Sequence, residues 1–176
     1  LNALLIAGTD ARVGKTTVLM ALIAYWQRYC RSRRLGLMKP IECRSSLSET
    51  DLADADFLIR QFNLDQTASE ITSVKLSTVA PVPIAAAHED VQIDLEQIWQ
   101  QFQQLQQRDF VLLEAWGGLG SPLTAETTVA DLAWDWHLPT ILVVPIQPRA
   151  VADAVANVAL ARQAKVHLKG IILNAI

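Results

Sequence analysis

A chain of 176 residues with 51% hydrophobic and 19% charged side chains has the composition of one folded domain with a sizeable core, which excludes a disordered segment. The net charge of −3 argues against nucleic acid as the main partner, since a phosphate-tracking surface needs clustered lysine and arginine. Two cysteines, Cys30 and Cys43, build neither a disulfide scaffold nor a zinc site, and reduced thiols in a cytoplasmic protein are the simplest reading.

Residues 3–7 are a short apolar run ending at Gly8, the pattern of a buried strand. The run is too short for a signal segment or a membrane span, and no later run is long enough either. A glycine-bearing loop follows, and residues 15–31 then predict a helix. Its apolar positions (Val18, Leu19, Ala21, Leu22, Ile23, Tyr25, Trp26) cover most of the circumference, so it is expected to be largely buried. The basic run Arg28, Arg31, Arg33 and Arg34 falls where that helix ends and complements its dipole. Residues 35–38 predict a second strand, stopped by Pro40. Residues 48–62 have an acidic start followed by Leu58, Ile59 and Phe62 at helical spacing.

The stretch 63–90 is ambiguous, with a strand near residues 71–76 and then the proline-punctuated run 79–83. Leu95, Ile98, Phe102 and Leu105 recur at amphipathic helical spacing. Strands over residues 110–113, 140–144 and 168–173 alternate with helices over 128–136 and from Val151. The third strand ends at Glu114 and the last at Asn174. Strands and helices alternating at these lengths define βαβ units, hence an α/β fold: a doubly wound, mostly parallel sheet with helices on both faces. No internal repeat or linker divides it, so residues 1–176 read as one domain.

Candidate chemistry collects at the carboxyl ends of the strands, where open α/β sheets bind ligands. Gly8-Thr9-Asp10-Ala11-Arg12-Val13-Gly14-Lys15-Thr16 follows a strand and opens a helix, the context of a phosphate-binding loop of P-loop NTPase type. Backbone N–H groups there cradle phosphates, Lys15 reaches the outer phosphates and the Thr16 hydroxyl ligates magnesium. The loop departs from the general pattern in one respect: five residues, not four, separate Gly8 from Gly14, with Thr9 where the first glycine usually stands. Lys39 ends the second strand, Glu114 the third and Asn174 the last. His88, His137 and His167 share no spacing that suggests a metal or a triad, and the five tryptophans read as core or interface, with Trp116 beside Glu114 the exception.

The loop form Gly-Thr-Asp-x-x-Val-Gly-Lys-Thr resembles that of dethiobiotin synthetases. Lys39-Pro40, Asp54-Ala55, residues 114–118 with Pro122-Leu123, Thr128-Val129-Ala130-Asp131, residues 138–144 and residues 170–174 resemble further segments of that family. The resemblance implies a magnesium-dependent enzyme that combines 7,8-diaminononanoate, carbon dioxide and ATP into dethiobiotin, ADP and phosphate. A carbamate forms on one amine, ATP phosphorylates it, and the second amine closes the ureido ring. It implies Lys15 and Lys39 as the catalytic cations, and Thr16, Asp54 and Glu114 as the metal ligands, with Asp51 an alternative to Asp54. The phosphate loop through Thr17, together with Glu114, Gly117, Gly118 and Asn174, would bind the nucleotide. Cys43 and Arg149 fall in segments that would meet the diamine substrate, and a cytoplasmic homodimer is implied.

The sequence also departs from the family pattern. Arg12 replaces an acidic residue, Cys43 a serine, and Ala115 and Trp116 a glycine and a small residue. In residues 147–152, Arg149 and Ala152 stand where glycine and asparagine are usual, in a segment that receives the substrate carboxylate from the partner subunit. The family continues past the position of Ile176 with another helix, purine-contacting residues and another strand, which leaves open whether the chain is a full length or a piece. A regulatory P-loop ATPase of the partitioning type is the alternative function. Those proteins typically carry an extra lysine early in the loop, where this chain has Arg12.

Overall fold

The computed structural model describes residues 2–43 and 54–175. In chain order the elements are β1 (Ala3–Gly8), α1 (Lys15–Tyr29), β2 (Leu35–Met38), β3 (Ile41–Cys43), α2 (Asp54–Phe62), α3 (Ala68–Ile71), β4 (Val74–Leu76), α4 (Val82–His88), α5 (Leu95–Leu105), β5 (Phe110–Gly118), α6 (Val129–Asp135), β6 (Thr140–Pro145), α7 (Ala150–Gln163) and β7 (Leu168–Asn174). Five strands form one parallel sheet in the order β2-β5-β1-β6-β7, while β3 and β4 pair in a small parallel sheet of their own. No helix among the described residues is long and apolar enough to cross a membrane.

Strand alternation assigns the two faces. Leu5 and Ala7 of β1, Leu113 of β5 and Leu142 and Val144 of β6 join one core with Ile98 and Phe102 of α5, Val82 and Ala85 of α4 and Val129 and Leu132 of α6. Ile6, Leu37, Leu112 and Val143 face the other way and join Leu19 and Ile23 of α1, Leu58 of α2 and Ile71 of α3. The expected doubly wound sheet forms, buried on both faces except along the edge strand β7, where Lys169, Ile171 and Leu173 are exposed. Phe102 and Trp136 stack at 5.3 Å between ring centroids, with Trp99 5.0 Å from Trp136, so these tryptophans are core.

Several expectations need correction. The helix after the phosphate loop is buried only at Lys15, Leu19 and Ile23. Val18, Met20 and Leu22 are half-buried against the core and Trp26 against Phe110, while Tyr25 and Tyr29 meet each other on the surface at 4.8 Å. Pro40 ends β2 but not extended structure, because the chain continues directly into β3, with Ser73 and Val74 donating to the Pro40 carbonyl at 3.2 and 2.9 Å. The proline-punctuated run starts a helix: Val82 and Pro83 occupy the first turn of α4, where a missing N–H costs nothing. α3 begins at a capping box between Thr67 and Glu70 that was legible as T-x-x-E. The strand expected to end at Glu114 runs on to Gly118. The first part of the helix expected over residues 48–62, Asp51 included, lies outside the described residues.

Candidate functional site

Alternation also explains which polar side chains meet. Lys39 follows Leu37 by two positions and Glu114 follows Leu112 by two, so both turn to the face covered by α1 and α2. β2 and β5 are neighbours in register, with Met38 opposite Leu113, and this brings the two side chains together. Lys39 Nζ donates to Glu114 Oε1 at 3.2 Å and to Asp54 Oδ2 in the first turn of α2. Thr16 Oγ1, one residue into α1, donates to the same Glu114 oxygen at 2.8 Å. Glu114 is 2% exposed, and its Oε2 has no hydrogen-bond partner among the described residues.

The loop between β1 and α1 is shaped for an anion. Arg12 has φ 57° and Gly14 φ 91°, and left-handed residues in such a turn make successive N–H groups converge. Gly14 caps α1 without any side-chain hydrogen bond, which leaves the first N–H groups of the helix for a ligand. Lys15 folds back over the loop, Nζ donating to the Asp10 carbonyl at 2.8 Å. Burial lowers its pKa to about 8, Glu114 opposing and Lys39 adding to the shift. Burial also pulls Lys39 down, but Glu114 and Asp54 outweigh it and hold that ammonium above the usual lysine value.

These groups line one cavity of about 1080 Å³, together with Asp10, Ala11, Arg12, Gly14, Thr17, Glu42, Cys43, Ala115, Trp116 and Gly117. Gly8, Thr9, Val13 and Gly118 are not among its lining residues and serve from behind. A Cβ on Gly118 would lie 2.7 Å from the Thr9 carbonyl oxygen, so this glycine lets β5 pass close under the loop. Asn174 Nδ2 donates to the Val13 carbonyl at 3.0 Å, tying β7 to the loop. Arg149 stands outside: its side chain is 83% exposed and pairs with Asp153 at 3.6 Å. Cys43 is buried, and burial, with Glu89 and Glu42, pushes its thiol up to about 11, so it is a neutral S–H at physiological pH. Among the described residues, His88 hydrogen-bonds Thr78 and His137 the Trp134 carbonyl.

Sequence reading missed three contributors. Glu42 sits between two buried residues of a three-residue strand, too short for its pattern to show. Ser121 lines the cavity and its Oγ accepts from the Gly118 N–H at 2.8 Å. Val79, Ala80 and Pro81 close one wall from the stretch read only as proline-punctuated. The oxygen donors Thr16, Asp54 and Glu114, without histidine or cysteine, form a hard set of the type magnesium takes, and the unpartnered Glu114 Oε2 leaves one carboxylate lone-pair site for a cation.

A parallel sheet with β1 between β5 and β6, and a glycine-lysine-threonine loop at its carboxyl edge, defines a nucleotide-binding domain of P-loop NTPase type. Solved structures agree on the fold. A BceF tyrosine kinase domain is similar at a TM-score of 0.54 with 17% identity, covering 99% of this chain and 69% of that one. A ParA family ATPase from Chlorobium tepidum is similar at 0.52 with 13% identity, covering 98% and 73%. A family model described as an AAA domain matches residues 2–176. The ATP-dependent dethiobiotin synthetase of Gloeothece citriformis is 50% identical over 98% of this chain and 74% of its own length. That of Crocosphaera subtropica is 47% identical over 99% and 75%. The chain belongs to the dethiobiotin synthetase family and is an ATP-using cyclo-ligase, which disfavours the partitioning-ATPase alternative.

Proposed function

We propose that this chain closes the ureido ring of dethiobiotin from 7,8-diaminononanoate, carbon dioxide and ATP, releasing ADP and phosphate. The observation that carries the reading, beside the family, is the meeting of Lys15, Lys39, Thr16, Asp54 and Glu114 on one cavity wall. The reaction brings an anionic carbamate next to a polyphosphate, so its chief requirement is fixed positive charge between them.

Lys39, kept protonated by Glu114 and Asp54, holds the carbamate. Lys15 and the N–H groups that open α1 hold the outer phosphates. Thr16, Asp54 and Glu114 hold magnesium, which when bound neutralises phosphate charge. Asp54 supports its part in that set by lining the cavity and meeting Lys39. Cys43 lines the diamine side of the cavity, and Asn174 steadies the loop at its nucleotide side. Residues 1–176 act as a single domain within a cytoplasmic homodimer, in which Arg149 serves the neighbouring subunit.

The test is a coupled ADP-release assay with magnesium, bicarbonate and diaminononanoate, each omitted in turn. ADP release is expected to need all three. Release that continues without the diamine would sink the ligase reading and restore the regulatory ATPase.

A further inference from the structure

One buried charge in the cavity has no part in the scheme above. Glu42 lies at the centre of β3 between Ile41 and Cys43, both of which pack into the core with α4 and α5. Glu42 lines the cavity, as Cys43 also does, together with Lys15, Lys39 and Asp54. It is 5% exposed. Its Oε1 accepts from the Asp54 N–H at 3.1 Å, capping the first turn of α2. Its Oε2 is buried and has no hydrogen-bond partner among the described residues.

An unpartnered carboxylate oxygen away from water is strongly unfavourable unless a ligand completes it. Among the described residues, the two buried ammonium groups of the cavity are engaged elsewhere: Lys15 with the Asp10 carbonyl, Lys39 with Asp54 and Glu114. The cavity therefore presents two ammonium groups and, in the same lining, a carboxylate oxygen with no partner among the described residues. A substrate that is anionic at one nitrogen and cationic at the adjacent one matches that polarity.

We propose that Glu42 binds, as an ammonium, the amine of the diamine that does not carry the carbamate, and so selects vicinal diamines over monoamines. The inference rests on the ring-closing reading.

Glu42→Gln keeps the volume and the acceptor for the Asp54 N–H while removing the charge. Losing one charge-assisted hydrogen bond should raise the KM for diaminononanoate about ten- to hundredfold and leave that for ATP within about twofold. In competition binding, the preference of the wild type for diaminononanoate over the aminononanoate that keeps only the carbamate-bearing amine should collapse in this variant. Should Glu42→Gln fail to fold, Glu42→Asp, with its charge drawn back, should give a weaker loss of the same kind. An unchanged diamine KM in a folded variant, or equal losses for diamine and ATP, would show that Glu42 only caps α2 and would overturn the inference. If the wild type itself releases no ADP in response to the diamine, the ring-closing reading fails and this inference fails with it. A working wild type beside an unaffected variant removes the inference alone.

Discussion

Lys15 and Lys39 share a wall, yet their ammonium groups differ in proton affinity for a physical reason. Lys39 has two carboxylates in hydrogen-bond contact, whereas Lys15 has a backbone carbonyl and the repulsion of Lys39. A lysine at about 8 is partly deprotonated in mildly alkaline solution, and a phosphate laid against it raises its pKa again. Nucleotide binding near pH 8.5 (~1 unit span of that pKa) should therefore take up protons, seen as a dependence of calorimetric enthalpy on buffer ionisation. Lys15→Ala should remove both that uptake and turnover. The sign of its stability effect follows from linkage. The folded pKa lies below the unfolded value of 10.5, so the charged lysine opposes folding at neutral pH, and this opposition fades as pH rises from about 8 to 10.5. The variant should thus melt no lower than wild type at pH 7. Normal turnover in Lys15→Ala would remove the phosphate role.

At the scale of elements, the loop is seated by β5. Ile6 lies opposite Glu114 but Gly8 opposite Gly118, so β5 spends extra residues there and bulges. The irregularity carries Ala115, Trp116 and Gly117 to the cavity and returns Gly118 beneath Thr9. A methyl group at Gly118 meets loop backbone rather than a flexible side chain, so Gly118→Ala should displace the loop. We expect a destabilisation of about 1–3 kcal/mol, the range for overpacking, and a loss of ATP affinity of about tenfold or more. Thermal melting and calorimetry check these, and unchanged ATP affinity would mean β5 does not position the loop. The long periodic helices and apolar strands were readable because many residues repeat one message. α4 and β3 were not, because a few residues around Pro40, Pro81 and Pro83 carry too little pattern to outweigh the prolines. At the outer edge of β2, Gln66 does what no pattern foretells: its side chain accepts from the Leu37 N–H at 2.7 Å and donates to the Leu37 carbonyl at 3.0 Å, standing in for a missing strand.

For the whole molecule, the position of Arg149 decides what it can do. It opens α7 with its side chain turned out to solvent, so within one subunit it does not serve the cavity. Val151 and Val155 lie four residues apart on the same helix and are 77% and 63% exposed, an apolar stripe beside the arginine. A second copy laid against this surface would bury the stripe and bring Arg149 to the neighbouring cavity, where its planar fork suits a carboxylate. Sedimentation equilibrium should report a dimer. Arg149→Ala should raise the diamine KM about tenfold, the worth of one charged hydrogen bond, with little change for ATP. A monomer, or a variant with normal diamine affinity, would leave the substrate carboxylate without an assigned partner.

What the sequence determined alone was what depends on adjacent residues. The phosphate loop is a strand, a turn and a helix start written consecutively, so Lys15 and Thr16 could be assigned roles from spacing, and the alternation of apolar runs was enough for a doubly wound sheet. The tertiary structure decided everything that joins distant positions. Thr16 and Glu114 are 98 residues apart, and they meet because β1 inserts between β5 and β6. Lys39 reaches Glu114 because β2 and β5 are neighbours in register. The helix after the loop is fully buried along one line only, because burial depends on what covers a face and not on which residues lie along it. Glu42 follows the same rule: its charged side chain is buried because the short strand that holds it is packed into the core and forms part of the cavity lining.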